Sequence, residues 1–141
     1  MEQRYSCGAL VKQIHDALEK DANNMMRPKG LTMAQFSVLM ILREAEGLQA
    51  PLKELERALH VAQSTAAGIV SRLEQKRYVT CYTSQEDRRI KMVRLTPEGL
   101  ECCRQADQGM AEAESKIFSG MTQAEQDIFY VLLKKVRDTL Q

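Results

Sequence analysis

The chain has 141 residues, 28% of them charged and 5% aromatic, which is long enough to bury a core without disulfide or metal staples. No apolar run approaches the roughly 20 residues of a membrane span, and the opening Met1 to Tyr5 holds no apolar signal core, so a cytoplasmic protein is expected. The formal net charge of +1 hides an asymmetry: between Pro51 and Thr96 nine Lys and Arg stand against five acids, while the remainder is acidic. Such a basic block is the electrostatic footprint of a polyanion partner.

The first helix is predicted from Tyr5 to Met26. Leu10, Ile14 and Leu18 lie four apart on one stripe, with Val11, Ala17 and Met25 beside it. Pro28 and Gly30 end it. Leu31 to Phe36 then reads as a strong helix start. Thr32 caps, Gln35 closes a capping box, and Leu31 and Phe36 are spaced for a hydrophobic staple. Phe36, Leu39, Met40 and Leu42 give this second helix a broad apolar face, and Gly47 stops it.

Pro51 suits the first turn of a short helix from Leu52 to Leu59, whose stripe is Leu52, Leu55 and Leu59. His60 is a polar turn residue, since no acid or cysteine pattern supports it as a ligand or base. After a tight turn at Val61 to Gln63, a helix is predicted from Ser64 to Lys76. Ala66, Ile69, Val70 and Leu73 must face the core. The opposite face carries Gln63, Ser64, Ala67, Gly68, Ser71 and Arg72, with Thr65 beside them. Small and hydrogen-bonding side chains let a helix approach base edges. Gln63 can pair with adenine, the serines with base or phosphate, and Arg72 with guanine or phosphate. A mid-helix glycine costs roughly 1 kcal/mol relative to alanine, so Gly68 calls for a reason such as close approach.

Two strands follow, Val79 to Thr83 and Ile90 to Leu95, joined by the charged turn Ser84 to Arg89. Asp87, Arg88 and Arg89 stand at the tip, with Lys91 and Arg94 on the return strand. Arginine on a protruding tip suits a narrow, electronegative minor groove. Asp87, two residues before Arg89, can orient it by an ion pair. Helix, turn, helix and hairpin in this order make a winged helix-turn-helix, so the fold class is mainly α with a small β-wing.

Thr96 caps and Pro97 opens a long helix whose stripe is Leu100, Cys103, Met110, Ala113 and Ile117. The last helix runs from Thr122, with Glu125 completing a capping box, to about Leu140. Ile128, Leu132, Leu133, Val136 and Leu140 form a wide apolar face. Together with Leu10, Ile14 and Leu18 this exceeds what a small reading head can cover. Burial against a second copy is the economical solution. The expected organisation is a DNA-binding domain over 31–96 and a helical dimerisation region over 1–30 and 97–141.

The four cysteines, Cys7, Cys81, Cys102 and Cys103, form no CxxC, and with two histidines they give no zinc spacing. Adjacent Cys102 and Cys103 point about 100° apart on a helix. They read as reduced, half-buried thiols. Paired carboxylates, a Ser/His/Asp set, a glycine-rich phosphate loop and a metal cluster are all absent from the pattern, so neither an enzyme nor a cofactor is expected.

Two stretches carry a family resemblance. Leu31 to Leu39, LTMAQFSVL, resembles an LTxxQxxvL pattern. Asp87 to Gly99, DRRIKMVRLTPEG, resembles the wing signature DxRxxxxxLTxxG. Both belong to the multiple antibiotic resistance regulator (MarR) family of bacterial transcription factors, and the similarity covers essentially the whole chain. It implies a triangular homodimer with interdigitated terminal helices, and two winged-helix lobes on a pseudo-palindromic duplex. It further implies Arg89 as the wing arginine, Asp87 as its partner, and the Ser64 to Lys76 helix as the reader of the major groove. Repression relieved by a small anionic or phenolic ligand, or by an oxidant, is implied as well, with a pocket between the dimer helices and the winged-helix lobe. The chain departs from the family at Ala62, where a serine cap is frequent, at Gly68, where arginine is common, and at Arg77-Tyr78, which replaces a glycine-containing turn. Two other readings compete. One places a peroxide-sensing thiol at Cys7, with Arg4 and Lys12 as its nearest cations. The other makes the winged helix a protein-interaction module and predicts a neutral recognition face and wing.

Overall fold

A computed structural model describes residues 6–141. In chain order it contains α1 (Cys7–Met26), α2 (Met33–Glu44), β1 (Gln49–Pro51), α3 (Leu52–Leu59), α4 (Gln63–Gln75), β2 (Val79–Thr83), β3 (Lys91–Leu95), α5 (Pro97–Phe118) and α6 (Gln123–Leu140). Tyr5, the expected first residue of α1, lies outside the described residues. None of these helices is long and apolar enough to cross a membrane. The chain separates into two compact units, Met1–Gln108 and Gly109–Gln141.

Local chemistry sets the helix ends. The Ser6 hydroxyl accepts from the Ala9 amide at the start of α1, and Gly30, in the left-handed region at φ 65°, closes the short turn after it. Thr32 and Gln35 form the expected capping box of α2, and Thr122 and Glu125 that of α6. α2 ends at Glu44, three residues before Gly47, whose φ of 69° turns the chain into β1. At the end of α3, His60 adopts the left-handed conformation, exposed and in a turn, and its amide donates to Arg57.

The sheet has three strands rather than the two of the expected hairpin. β1 pairs antiparallel with β3, opposing Gln49 to Arg94 and Pro51 to Met92, and β3 pairs with β2 from Lys91–Thr83 to Leu95–Val79. Three residues ending in proline carry no period, so only their partner strand defines them. For the same reason Pro51 caps α3 from outside instead of occupying its first turn.

The core of the first unit gathers Val38, Leu39 and Leu42 from α2, Leu55 from α3, Val70 and Leu73 from α4, Val79 and Val93 from the sheet, and Cys103 from α5. On α4 the buried line is Ala66, Val70 and Leu73, while Ile69 is half-buried. On α5 it is Gly99, Cys102, Cys103 and Ala106, so Leu100 and Met110 of the expected stripe are exposed. Cys102 and Cys103 are therefore fully buried, not half-buried.

The root of α5 is bolted to the corner between α4 and β2. The Thr96 hydroxyl donates to the Arg77 carbonyl at 2.7 Å and accepts from the Gly99 amide at 3.0 Å, and the Thr96 amide donates to the Tyr78 carbonyl at 3.1 Å. A Cβ on Gly99 would lie inside van der Waals contact with the Tyr78 carbonyl and 2.6 Å from Leu95 Cδ1. Packing thus explains the glycine and threonine of the wing signature. Arg77 itself takes a left-handed φ of 65°, the conformation a glycine supplies without strain.

Candidate nucleic-acid interface

α4 turns its buried line inward, which leaves Gln63, Ser64, Thr65, Gly68, Ser71 and Arg72 exposed as expected. Ala67 differs: it is half-buried against the core, one residue from the buried Ala66. Gln75 is also exposed and stands four residues after Ser71 and seven after Gly68, on their face. That spacing was available in the sequence, and Gln75 belongs with the face by the same helical arithmetic. No atom comes within 4 Å of the position of a Cβ at Gly68, so nothing in the chain itself demands glycine there. Ala62 caps α4 without a side-chain hydrogen bond. The first-turn amides therefore keep capacity for an external acceptor, which the helix dipole favours when it is anionic.

The wing tip is built around Asp87. Its carboxylate accepts from the Arg89 backbone amide at 3.0 Å, from Nε at 3.1 Å and from Nη2 at 3.2 Å. The Asp87 carbonyl accepts from Ile90 and the Ile90 carbonyl from Ser84, which closes the loop. Hydrogen bonds from Arg89 hold the Asp87 carboxyl below its ordinary pKa. The Arg89 side chain is 91% exposed, so the pair aims a charge outward and contributes little to stability. Arg88 and Lys91 are exposed beside it.

On the outer face of the sheet, Arg94 does not point freely into solvent. Its Nη2 donates to Gln49 Oε1 at 3.0 Å and to the Tyr82 hydroxyl at 3.4 Å, and its guanidinium carbon lies 4.9 Å from the Tyr82 ring centroid. Forty-five positions separate Gln49 from Arg94, and no local pattern announces the contact. At the edge strand β2 the Glu74 carboxylate, in the last turn of α4, accepts from the Cys81 amide at 2.9 Å. Burial first, then Glu74, pushes the Cys81 thiol up to about 11.

The residues expected to form a dimer surface are uncovered. Leu10, Ile14 and Leu18 on α1 are exposed, as are Ile128, Leu132, Val136 and Leu140 on α6. Cys7 is exposed in the first turn of α1. The one group of candidate metal ligands among the described residues, His15, Asp16 and Glu19, is fully exposed on α1.

A profile of the MarR family matches residues 31–91, the stretch from the start of α2 into β3. The multiple antibiotic resistance protein MarR of Salmonella typhimurium is 28% identical over 130 residues, covering 92% of this chain and 89% of that protein. The crystal structure of wild-type apo MarR from E. coli superposes with a TM-score of 0.77 at 26% identity, covering 96% of this chain and 98% of that one. A MepR variant of S. aureus bound to an oligodeoxyribonucleotide has the same fold, with a TM-score of 0.76 at 21% identity over 98% of this chain and all of that one. Fold, wing signature and relatives agree: residues 31–91 match the MarR family, and over most of its length the chain is similar to MarR-family winged-helix transcriptional regulators.

Proposed function

We propose that the chain acts as a homodimeric repressor on a pseudo-palindromic duplex and leaves it when a small aromatic or anionic ligand binds. The observation that carries this reading is the pairing of two exposed elements of matching chemistry. α4 offers a face of small and hydrogen-bonding residues, Gln63, Ser64, Thr65, Gly68, Ser71 and Arg72, beside an N-terminus without a side-chain cap. The wing offers Arg88, Arg89 and Lys91, with Arg89 held by Asp87. A helix of this kind fits the major groove, and an aimed arginine fits the minor groove next to it. The oligonucleotide-bound MepR variant, which shares the fold, supports DNA as the partner.

Homodimerisation through 1–30 and 97–141 is supported by the uncovered leucine, isoleucine and valine faces of α1 and α6. Two lobes related by a two-fold axis read two half-sites, hence the pseudo-palindrome. For the ligand, a groove of about 380 Å³ beside the root of α5 combines apolar Pro97 and Leu100 with two ion pairs, Arg43–Asp107 and Arg104–Glu101, whose carboxylates an anionic ligand would displace. A second reading keeps the fold and places control at the exposed thiol of Cys7.

The test is a fluorescence-anisotropy titration at two salt concentrations, comparing pooled random duplexes with the DNA upstream of the chain's own gene. Tight, salt-steep binding to one site with two chains per duplex is expected. Arg89→Ala should lower the salt slope by about one unit. An unchanged slope removes the wing from the interface, and no binding to any duplex at low salt overturns the reading.

A further inference from the structure

We propose that Arg94, clamped by Gln49 and Tyr82 on the outer face of the sheet, is the positioning residue that sets the direction of the wing and thereby delivers Arg89 to the minor groove. The proposal rests on the DNA-binding reading above and names a residue that acts through Arg89 without touching DNA.

The three strands place the parts in one row. Gln49 on β1 opposes Arg94 on β3, which opposes Thr80 on β2, and Tyr82 stands diagonally from Arg94 on the same face. Ala50, Val79, Val93 and Leu95 fill the other, buried face. Arginine carries only donors, so the Gln49 amide must present its oxygen. That oxygen accepts from Arg94 Nη2 at 3.0 Å, from Nε at 3.3 Å and from the Tyr82 hydroxyl. One guanidinium thus ties all three strands together and lies over an aromatic ring as it does so.

The position of this knot gives it leverage. β1 ends opposite Met92, and beyond that point the hairpin is a two-stranded ribbon. Two-stranded ribbons twist more than wider sheets. At about 3.3 Å per residue, the five positions from Arg94 to Arg89 reach at most about 16 Å, since Arg89 lies in the turn beyond β3. A tilt of about 10° at the knot therefore moves the tip by up to about 3 Å, as much as half the width of a minor groove of about 6 Å. Asp87 fixes the arginine on the tip, and the Arg94 knot fixes the tip on the body. A lysine at 94 would keep the charge and lose the fork that grips two partners at once.

A double-mutant cycle on the same duplex separates positioning from direct contact. Arg94→Met, which retains the apolar stem, and Arg94→Lys should each weaken binding by about tenfold. Neither should weaken it further in an Arg89→Ala background. Tyr82→Phe, which keeps the ring and removes the hydroxyl, should give a smaller loss with the same dependence on Arg89. Equal losses in both backgrounds, or full binding by Arg94→Lys, would show a phosphate contact and overturn the proposal. In the DNA-free protein, amide exchange across residues 84–90 should quicken several-fold in Arg94→Met at an unchanged unfolding midpoint. Unchanged exchange overturns the clamp itself. If the unsubstituted protein binds no duplex, the DNA-binding reading fails and with it the purpose of the clamp, and exchange alone then decides whether Arg94 holds the wing.

Discussion

The winged-helix core and α6 are written in the same apolar alphabet and end in opposite environments. Leu39, Leu42, Leu55 and Leu73 are sealed completely, whereas Ile128 is 59% and Leu140 81% exposed, and no residue of α6 is buried. Each buried leucine or valine contributes about 1.5–3 kcal/mol relative to exposure, so the first set drives folding of its unit. The second set stays about half or more exposed within the chain and gains much less. A periodic stripe states that a face must be covered, and only packing states by what.

The largest expected effect breaks the sealed side. Leu73→Ala should destabilise the protein by about 2–5 kcal/mol in denaturant unfolding, because Leu73 leaves a cavity where α4 meets the core. Gly99→Ala should cost about 1–3 kcal/mol through overpacking against Tyr78 and Leu95, with a lowered unfolding midpoint. A neutral result at Gly99 would mean that α5 is not bolted to the α4–β2 corner.

The uncovered side responds differently. Leu132→Asp with Val136→Asp should leave the circular-dichroism spectrum in place and shift sedimentation from two chains to one, since both residues are exposed within the chain. Undiminished mass would place the dimer contact elsewhere. The same variant should lose the steep concentration dependence of DNA binding, because each half-site alone binds weakly.

A smaller effect sharpens the contrast at the wing, where neither side chain is sealed. Asp87 has its native pKa lowered from 3.8 by hydrogen bonds from Arg89. A lowered carboxylate favours the native arrangement fully above its unfolded value, and that contribution fades as pH falls through the native value. Carbon-detected NMR should therefore find an Asp87 midpoint below 3.8, rising towards 3.8 in Arg89→Ala. An unshifted midpoint in both would mean that the pair does not persist in solution.

The smallest effect concerns the thiols. One equivalent, Cys7, should react quickly with a disulfide reagent at pH 8. Cys81, whose thiol is pushed up to about 11, and the buried Cys102 and Cys103 should lag far behind. Cys7→Ser should abolish the fast phase. If it also abolishes a loss of DNA binding after peroxide treatment, control belongs to Cys7 and not to a ligand.

Much of this was legible because it is local. Thr32 with Gln35 and Thr122 with Glu125 announce helix starts three residues apart, and Asp87 announces its grip on Arg89 two residues on. The exposed face of α4 followed from its buried face through the helical period, and Gln75 was recoverable in the same way. The burial line of α5 was not, because Leu100 is more apolar than Gly99 yet Gly99 is the residue that must approach Tyr78. β1 was missed because three residues carry no period of their own.

Sequence by itself therefore determined the order of the six helices and the wing hairpin, the caps, the wing signature and the two faces of α4, all of which depend on neighbours within about one helical turn or one hairpin. Tertiary structure alone decided that Gln49 joins a third strand, that Arg94 is held and not free, that Cys102 is buried and that Ala67 leans on the core. Those outcomes depend on residues brought together from distant parts of the chain, and the identity of a partner 45 positions away is not encoded in any local spacing.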